Sequence, residues 1–390
     1  MRSGSTIYMD YQASTPFDPV VFAAMERSWR EDFANPHSAE HSLGWRAAAA
    51  IEATADTLAS QFGLGGDHVI FTSGATEANW LAIRGCVLGH AMSLDRVVIS
   101  AAEHKSVQSA AKATAEEANA TLSTVRIDRA GRVDPQHLRE TIRGHAAFVS
   151  IIAVGNETGA INDVAELRHA CGDRAILHVD ASQAPSAMDL HDLVPHADLI
   201  TLSSHKAYGP KGIGALIVAP ELRARMKPLM PGGSQQGGLR PGTVPTSLAV
   251  GFATAIARIA DLRSEREEIA GLRDRFISGL NARAGGVYLV GESSNRHPGN
   301  ACLRIEHVDA SDLLSALQPK IAASTQSACT SGTMEPSEVL LAMGLSYEEA
   351  QECIRFSLGR FSDASQVDEA IEVIAQCVDE RRKSHSRLAG

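Results

Sequence analysis

The sequence lacks the residue patterns of a membrane-spanning, secreted or nucleic-acid-binding protein. No apolar run approaches the length that crosses a bilayer, and residues 1–4 do not begin a secretory signal. Lys and Arg number 36 against 46 Asp and Glu, which gives a formal net charge of −10. Because phosphates and anionic lipids repel such a chain, we expect neither direct nucleic-acid binding nor a membrane as partner.

The features of zinc-binding, disulfide-bonded and P-loop proteins are also missing. The six cysteines form no CxxC pair and no close group with histidine, so we expect no metal site and no disulfide framework. A reducing cytoplasm suits such a set of thiols best. The pattern GxxxxGK[ST] does not occur, which excludes a Walker A phosphate loop.

What the sequence does contain is a regular alternation of apolar strands and helical stretches. Seven apolar runs predict strands, at 69–72, 96–100, 122–127, 146–154, 175–181, 198–203 and 214–218. This alternation predicts an α/β fold with a mainly parallel sheet and helices on both of its faces. The length of 390 residues predicts a second, smaller domain. One long helix with a kink is expected from about 247 to 282, crossing into that domain.

A lysine follows the strand predicted at 198–203. Lys206 comes directly after Ser203, Ser204 and His205, and ligands of open α/β sheets bind at the carboxyl ends of strands. Loss of hydration there would lower the pKa of the lysine and make its amine a usable nucleophile. For a lysine considered alone, a solvated loop residue is the better interpretation.

A carboxylate at a neighbouring strand end favours the functional interpretation of Lys206 over a solvated loop residue. Asp180 lies at the end of the strand predicted at 175–181, so it can face Lys206 across a small planar ligand. Pyridoxal 5'-phosphate (PLP) requires this pair: the amine binds its aldehyde, and the carboxylate keeps the ring nitrogen protonated. The alternative for Asp180 is a helix-capping or turn aspartate.

Three more strand ends carry polar groups. Gly74, Ala75 and Thr76 follow the first predicted strand and could offer N–H groups and a hydroxyl to a phosphate, although Thr76 could simply cap its helix. His104 follows the second strand, where its ring could stack on a cofactor and transfer protons, or cap a helix. Asn156 can offer an amide to a cofactor oxygen or a substrate carboxylate.

Several motifs together carry a family resemblance. The segments FTSGATEAN, NETG, HVDASQ, SSHKAYGPKGIGAL, SACTS and IRFSLGR occur in this order, and the chain resembles the NifS/IscS-like cysteine desulfurases of the class V aminotransferase group. The match runs from residue 8 to beyond residue 360. The resemblance implies the PLP-dependent transferase fold type I. Its large domain would be 15–260, with a seven-stranded sheet that is antiparallel at 214–218, and 1–14 with 261–390 would form a smaller α+β domain.

The resemblance also implies the roles of the site residues. PLP would be bound by Gly74, Ala75, Thr76, His104, Asn156, Asp180, Gln183, Ser203, His205, Lys206 and Thr243. Arg355, Asn156 and Asn35 would hold the amino-acid substrate. Thr243 lies in the glycine-rich loop 235–243, whose counterpart in the family reaches the neighbouring subunit's site, so a homodimer is implied. Gly155 and Pro241 depart from the usual asparagine and serine of the family.

A second nucleophile is expected in the SACTS motif. Cys329 lies in a run of small polar residues, 324–333, which has little to bury and exposes the thiol for ionisation and attack. Alone, such a cysteine would be an incidental thiol. In the family the catalytic cysteine lies in this motif, which places the chain in the first subgroup, whose longer loop carries sulfur to an acceptor.

The resulting hypothesis is a PLP-dependent L-cysteine desulfurase. Lys206 would remove the α-proton, His104 would shuttle protons, and Cys329 would take the sulfur as a persulfide while alanine leaves. The sulfur would pass to an acceptor protein of iron–sulfur cluster assembly, tRNA thiolation or DNA phosphorothioation. Three alternatives remain open, and a redox or zinc protein fits the sequence least of them. A selenocysteine lyase or another class V aminotransferase reaction would not need Cys329, and a non-catalytic scaffold would bind partners through an inherited fold.

Overall fold

The computed structural model describes residues 1–90, 94–259, 263–325 and 335–388. Its strands are β1 (Arg2–Ser3), β2 (Thr6–Tyr8), β3 (Val69–Thr72), β4 (Arg96–Ser100), β5 (Thr121–Val125), β6 (Ala147–Ile152), β7 (Ile176–Asp180), β8 (Leu199–Ser203), β9 (Gly214–Val218), β10 (Val287–Leu289), β11 (Asn300–Ile305), β12 (Ile321–Ala322), β13 (Ser324–Thr325) and β14 (Cys353–Ser357).

The α-helices alternate with these strands in the first two thirds of the chain. They are α1 (Pro19–Glu31), α2 (Ser42–Ser60), α3 (Ala75–Trp80), α4 (Cys86–Gly89), α5 (Lys105–Ala118), α6 (Pro135–Ile142), α7 (Val164–Cys171), α8 (Pro220–Arg223), α9 (Thr246–Ala257), α10 (Arg263–Ala284), α11 (Ala310–Ala316), α12 (Glu338–Ala342), α13 (Tyr347–Gln351) and α14 (Ala364–Leu388). A π-helical turn at Leu81–Gly85 joins α3 to α4. No helix in the described ranges is long and apolar enough to cross a membrane.

The main sheet has seven strands in the order β3-β9-β8-β7-β6-β4-β5. Strand β9 runs antiparallel to both of its neighbours, and the other pairs are parallel. Its central strands are buried along their whole length, as continuous apolar runs covered on both faces by helices should be. The predicted seven-stranded, mainly parallel sheet is confirmed, and so is the antiparallel strand at 214–218.

This topology collects several strand ends at one edge. The register pairs Asp180 with both Ile152 of β6 and Thr201 of β8, so the ends of the parallel strands lie side by side. The antiparallel β9 returns the chain so that Gly214 lies between Ser203 and Thr72. The loops after β3, β4, β6, β7 and β8 therefore leave the sheet at the same edge, where ligands of open α/β sheets bind.

A second, antiparallel sheet in the order β10-β11-β14-β13 lies in the C-terminal part of the chain. It packs with α10, α11 and α14 around a separate apolar core, in which the rings of Phe276 and Phe356 meet edge to face at 5.1 Å. Strand β2 joins this part of the molecule by pairing with β12.

The long, kinked helix predicted from 247 to 282 is two helices in the residues that the structure describes. Helix α9 spans Thr246–Ala257, and α10 spans Arg263–Ala284. The N–H of Arg258 bonds back to the carbonyl of Thr254 and closes the last turn of α9. No glycine or proline occurs at residues 258–262, so the sequence contains no breaker that would have indicated the end of the helix.

Candidate active site

A cavity of about 740 Å³ opens at the carboxyl edge of the main sheet. One wall comes from the strand ends of that sheet, and the other includes residues of β13 and β14. The residues predicted for cofactor and substrate that line it are Gly74, Ala75, Thr76, His104, Asn156, Asp180, Gln183, Ser203, His205, Lys206 and Arg355. The fold therefore brings together groups that are distributed over almost 300 residues of sequence.

Lys206 is held in this cavity by main-chain oxygens of the N-terminal segment. A 3-10 turn, Ser204–Lys206, follows β8 and carries the side chain away from the sheet. The Nζ atom donates to the carbonyl oxygen of Gln12 at 2.5 Å and to that of Ala13 at 2.8 Å. Gln183 donates its amide to the same Gln12 oxygen at 2.9 Å. The amine is thus fixed by the fold rather than solvated on a loop.

Asp180 is buried and surrounded by hydrogen-bond donors. Its Oδ2 accepts from the side-chain amide of Asn79 at 2.8 Å, and its Oδ1 accepts from the N–H and the hydroxyl of Ser182 at 3.0 and 2.5 Å. Asn79 is itself fixed by a bond to the Ser106 hydroxyl at 3.0 Å. The turn geometry that the sequence left open as an alternative is therefore present. The carboxylate nevertheless lines the cavity, where it can receive a further N–H donor.

His104 both caps a helix and lines the cavity, so the two interpretations of this residue are compatible. Its Nδ1 accepts at 3.1 Å from the N–H of Ser106, which lies in the first turn of α5. Burial lowers the pKa of His104 below its ordinary value; the charge of Asp180 opposes this and that of Lys206 adds to it. The ring is consequently neutral at pH 7, and with Nδ1 accepting it carries its proton on Nε2.

Two other histidines of the site are neutral for the same reason. Burial, with smaller contributions from Lys206 and Lys211, lowers the pKa of His205 to about 4. His178 lies inside the sheet next to Asp180, and burial lowers its pKa to about 4 as well. Its ring bonds the hydroxyls of Ser150 and Thr201 at 2.8 and 2.9 Å.

The loop between β3 and α3 closes one end of the cavity. A Cβ atom on Gly214 would lie 2.7 Å from the main-chain carbon of Gly74, so only glycine lets β9 approach this loop. No side chain caps the start of α3, which leaves its first N–H groups available, and the capping alternative for Thr76 is not what the structure shows. Glu77 bonds the N–H of Ser73 at 2.6 Å and pairs with Arg240 at 2.8 Å.

Arg355 lies on β14, in the wall opposite the strand ends. Its Nη1 donates to the carbonyl oxygen of Asn156 at 2.6 Å, and its Nη2 pairs with Asp10 at 2.8 Å. The Nε atom is buried and bonds nothing in the part of the chain that the structure describes. Bonds from two sides thus hold the guanidinium in the wall of the cavity.

Three predicted site residues are not found in this lining. Asn35 is exposed, and its side-chain oxygen accepts from the His37 N–H at 2.9 Å. Thr243 is exposed in the loop beyond Arg240. Cys329 lies outside the described residues. The roles of these three stay predictions.

The sequence reasoning missed several residues that support the site. Asn79 is the last residue of the FTSGATEAN segment. Its position one turn into α3 could have indicated a hydrogen-bond partner for a strand-end carboxylate. Asp10 lies in the YMDY segment at the start of the family match, which marked it without giving it a role. The carbonyls of Gln12 and Ala13 have no side-chain signal that a sequence could display.

Comparison with known proteins places the chain in a family. The family model for aminotransferase class V matches residues 7–370, and the protein belongs to that family. A cysteine desulfurase IscS of Rickettsia typhi is 37% identical over 97% of this chain and 92% of its own length.

Solved structures give the same class. A NifS-like protein superposes with a TM-score of 0.88 and 27% identity, covering 96% of this chain and 100% of its own. SspA in complex with cysteine superposes with a TM-score of 0.78 and 29% identity, covering 92% of this chain and 100% of that one.

Proposed function

We infer that the protein is a PLP-dependent cysteine desulfurase that converts L-cysteine to L-alanine and passes the sulfur on. The observation that carries this inference is the joint presence of Lys206, Asp180 and Arg355 in one cavity. An amine, a ring-nitrogen acceptor and a carboxylate clamp are the groups that an amino-acid-transforming PLP enzyme needs. The relative from Rickettsia typhi carries the name cysteine desulfurase, and SspA was solved with cysteine.

The lining of the cavity fits PLP. Asp180 would accept from the ring nitrogen, and His104 would lie over the ring. The phosphate would be held by the start of α3 at Ala75 and Thr76 together with the hydroxyl of Ser203, and the neutral His205 can donate one ring N–H to it. Gln183 would bond the phenolic oxygen. When bound, PLP supplies an electron sink that stabilises negative charge at the α-carbon of an amino acid.

Lys206 is the proposed base for the α-proton. Its amine bonds the Gln12 and Ala13 carbonyls, which hold it at the strand end when it is not bound to the cofactor. Arg355 and Asn156 would hold the carboxylate of the amino acid and so direct its α-hydrogen toward that amine. His104, neutral and with Nε2 carrying the proton, is the proposed proton shuttle.

Sulfur transfer is assigned to Cys329 on the strength of the SACTS motif. Its thiolate would attack the sulfur of L-cysteine, forming an S–S bond while the carbon–sulfur bond breaks. The electron pair stays with the carbon, which takes a proton and leaves as alanine, and the enzyme retains a cysteine persulfide. We propose that an acceptor protein collects this sulfur, in iron–sulfur cluster assembly or a thiolation pathway. A thiol chemistry of this kind suits a reducing cytoplasm.

We propose that the active protein is a homodimer. Large apolar side chains are exposed along α1, at the start of α2 and in their flanking turns: Phe17, Val20, Phe22, Trp29, Phe33, Leu43 and Trp45. Both helices pack against α9, and Arg46 of α2 pairs with Asp32 after α1 at 2.9 Å, so these side chains belong to neighbouring elements. An exposed apolar surface of this kind is typical of a subunit interface.

We also propose a division of the chain into two domains. Residues 15–260 would form the PLP-binding domain, because β3 to β9 all lie within it. Residues 1–14 and 261–390 would form the smaller domain with the cysteine segment, because β2 pairs with β12 there.

The proposed function is tested by replacing the lysine. Lys206→Ala should lose the visible absorbance of bound cofactor and all alanine release from L-cysteine, because the amine that would bind the aldehyde and remove the α-proton is gone. Lys227→Ala, which changes an exposed lysine outside the cavity lining, is the matched control and should behave as the wild type. Failure of the wild type to release alanine from L-cysteine, or substantial turnover by Lys206→Ala, would overturn the assignment.

A further inference from the structure

Asp10 lies behind the substrate side of the cavity and joins two of its elements. Its Oδ1 accepts from Nη2 of Arg355 at 2.8 Å, and its Oδ2 accepts from the hydroxyl of Ser324 at 2.9 Å. The side chain is 16% exposed, and it is not part of the cavity lining. Both carboxylate oxygens are therefore engaged by residues that do line the cavity.

Backbone pairing fixes this arrangement. Ser324 of β13 is paired with Arg355 of β14 across the antiparallel register, and Asp10 forms a parallel bridge with Ser357. The three side chains consequently extend from neighbouring backbone segments whose spacing is set by main-chain hydrogen bonds. A carboxylate held in this way is preorganised rather than free to follow the guanidinium.

Arg355 is held from two sides in the wall of the cavity. Its Nη1 donates to the Asn156 carbonyl oxygen, and its Nη2 pairs with Asp10. Because Arg355 lines the cavity, these two bonds orient a cation beside the space where a substrate would lie. A substrate carboxylate, which carries two oxygens in a plane, is the group that such a guanidinium binds.

We propose that Asp10 is a positioning residue that sets the orientation of Arg355 and thereby selects substrates with an α-carboxylate. This inference rests on the proposed function. Asp10 also balances the positive charge of the guanidinium in its half-enclosed site, so Arg355 can stay ordered before substrate arrives.

The test compares L-cysteine with cysteamine, the same aminothiol without a carboxylate. In the wild type, L-cysteine should be preferred strongly in spectral titrations of the bound cofactor. Asp10→Ala should raise the apparent Kd and the KM for L-cysteine about 10-fold or more, change kcat by less than about 3-fold, and leave cysteamine binding unchanged. Asp10→Asn keeps the shape and removes the charge, and it should give a smaller loss in the same direction.

A double-mutant cycle separates positioning from a general structural effect. In an Arg355→Ala background, Asp10→Ala should cause no further loss of discrimination between the two ligands, because the group that it orients is gone. Asp312→Asn, an exposed aspartate on α11, is the control and should match the wild type.

The outcomes distinguish a failure of the proposed function from a failure of the positioning role of Asp10. A wild type that shows no spectral response to L-cysteine and no alanine release refutes the proposed function itself. A functional wild type whose Asp10 variants lose L-cysteine and cysteamine binding equally, or lose discrimination additively with Arg355→Ala, refutes the positioning role.

Discussion

Glu103 is a buried carboxyl group whose ionisation should be measurable as a loss of stability in mild alkali. It follows β4, and its Oε1 accepts from the Ser100 hydroxyl at 2.5 Å and the Ile152 N–H at 2.7 Å. Oε2 is buried and has no hydrogen-bond partner among the residues described. Burial raises the pKa of Glu103 to about 8, the bond from Ser100 opposes this, and the charge of Asp180 adds to it. At neutral pH the group is therefore a neutral acid.

The sign and size of the effect follow from linkage. The pKa in the folded protein lies above the ordinary value of 4.5, so the stability contribution is fully present below pH 4.5 and is lost as pH rises through about 8. Between pH 7 and pH 9, one group with a folded pKa near 8 costs on the order of 1 kcal/mol of unfolding free energy.

Glu103→Gln removes the ionisation and keeps the shape of the neutral acid, since the amide oxygen can still accept from Ser100 and Ile152. Denaturant unfolding at pH 7, 8 and 9 should show that the variant loses on the order of 1 kcal/mol less stability than the wild type over that range. Glu116→Gln changes an exposed carboxylate of α5 and serves as the control. Equal losses in wild type and Glu103→Gln would show that Glu103 is already ionised at pH 7, and the reasoning would be refuted.

Two further predictions concern the sulfur nucleophile and the assembly. Cys329→Ser should still bind the cofactor and respond spectrally to L-cysteine. It should lose alanine release and the added sulfur that non-reducing mass spectrometry finds on the Cys329 peptide of the wild type, because a hydroxyl stays protonated at neutral pH. An added sulfur on Cys302 or Cys353 would contradict this assignment. The exposed apolar side chains of α1 and α2 are the proposed dimer interface, so the double variant Phe22→Glu with Trp29→Glu should sediment as a monomer at micromolar concentration. The control Arg27→Glu, on the same helix, should remain dimeric. A dimeric double variant would exclude these side chains as the interface.

The main sheet and its strand ends could be predicted because the sequence displays them directly. The buried strands are continuous apolar runs such as AFVSII and LITLS, and each is followed at once by its polar residues. Lys206, Asp180 and His104 belong to this class of signal, since a strand end determines where they lie. Their convergence on one edge follows from parallel pairing, which alternation with helices predicts.

The opposite wall could not be predicted in the same way. Asp10 and Ser324 meet although 314 positions separate them, and the Gln12 carbonyl that receives Lys206 is 194 positions away. Such contacts depend on how the second sheet packs against the first, and no local periodicity encodes that packing. The family resemblance gave Arg355 its role, but only the structure shows that Asp10 occupies one edge of its guanidinium.

The charge of the cavity explains why so many polar groups can share it. Burial keeps the imidazoles of His104, His178 and His205 uncharged, so none of them adds a cation beside Lys206. Glu103 is uncharged as well, which leaves Asp180 as the carboxylate at the end of the cavity where we propose that the ring nitrogen of PLP binds. A single anion there would favour a protonated ring nitrogen more strongly than a pair of carboxylates sharing one proton. With uncharged neighbours, the electrostatic contrast in the cavity would lie mainly between Lys206 and Asp180, the pair that the proposed chemistry uses.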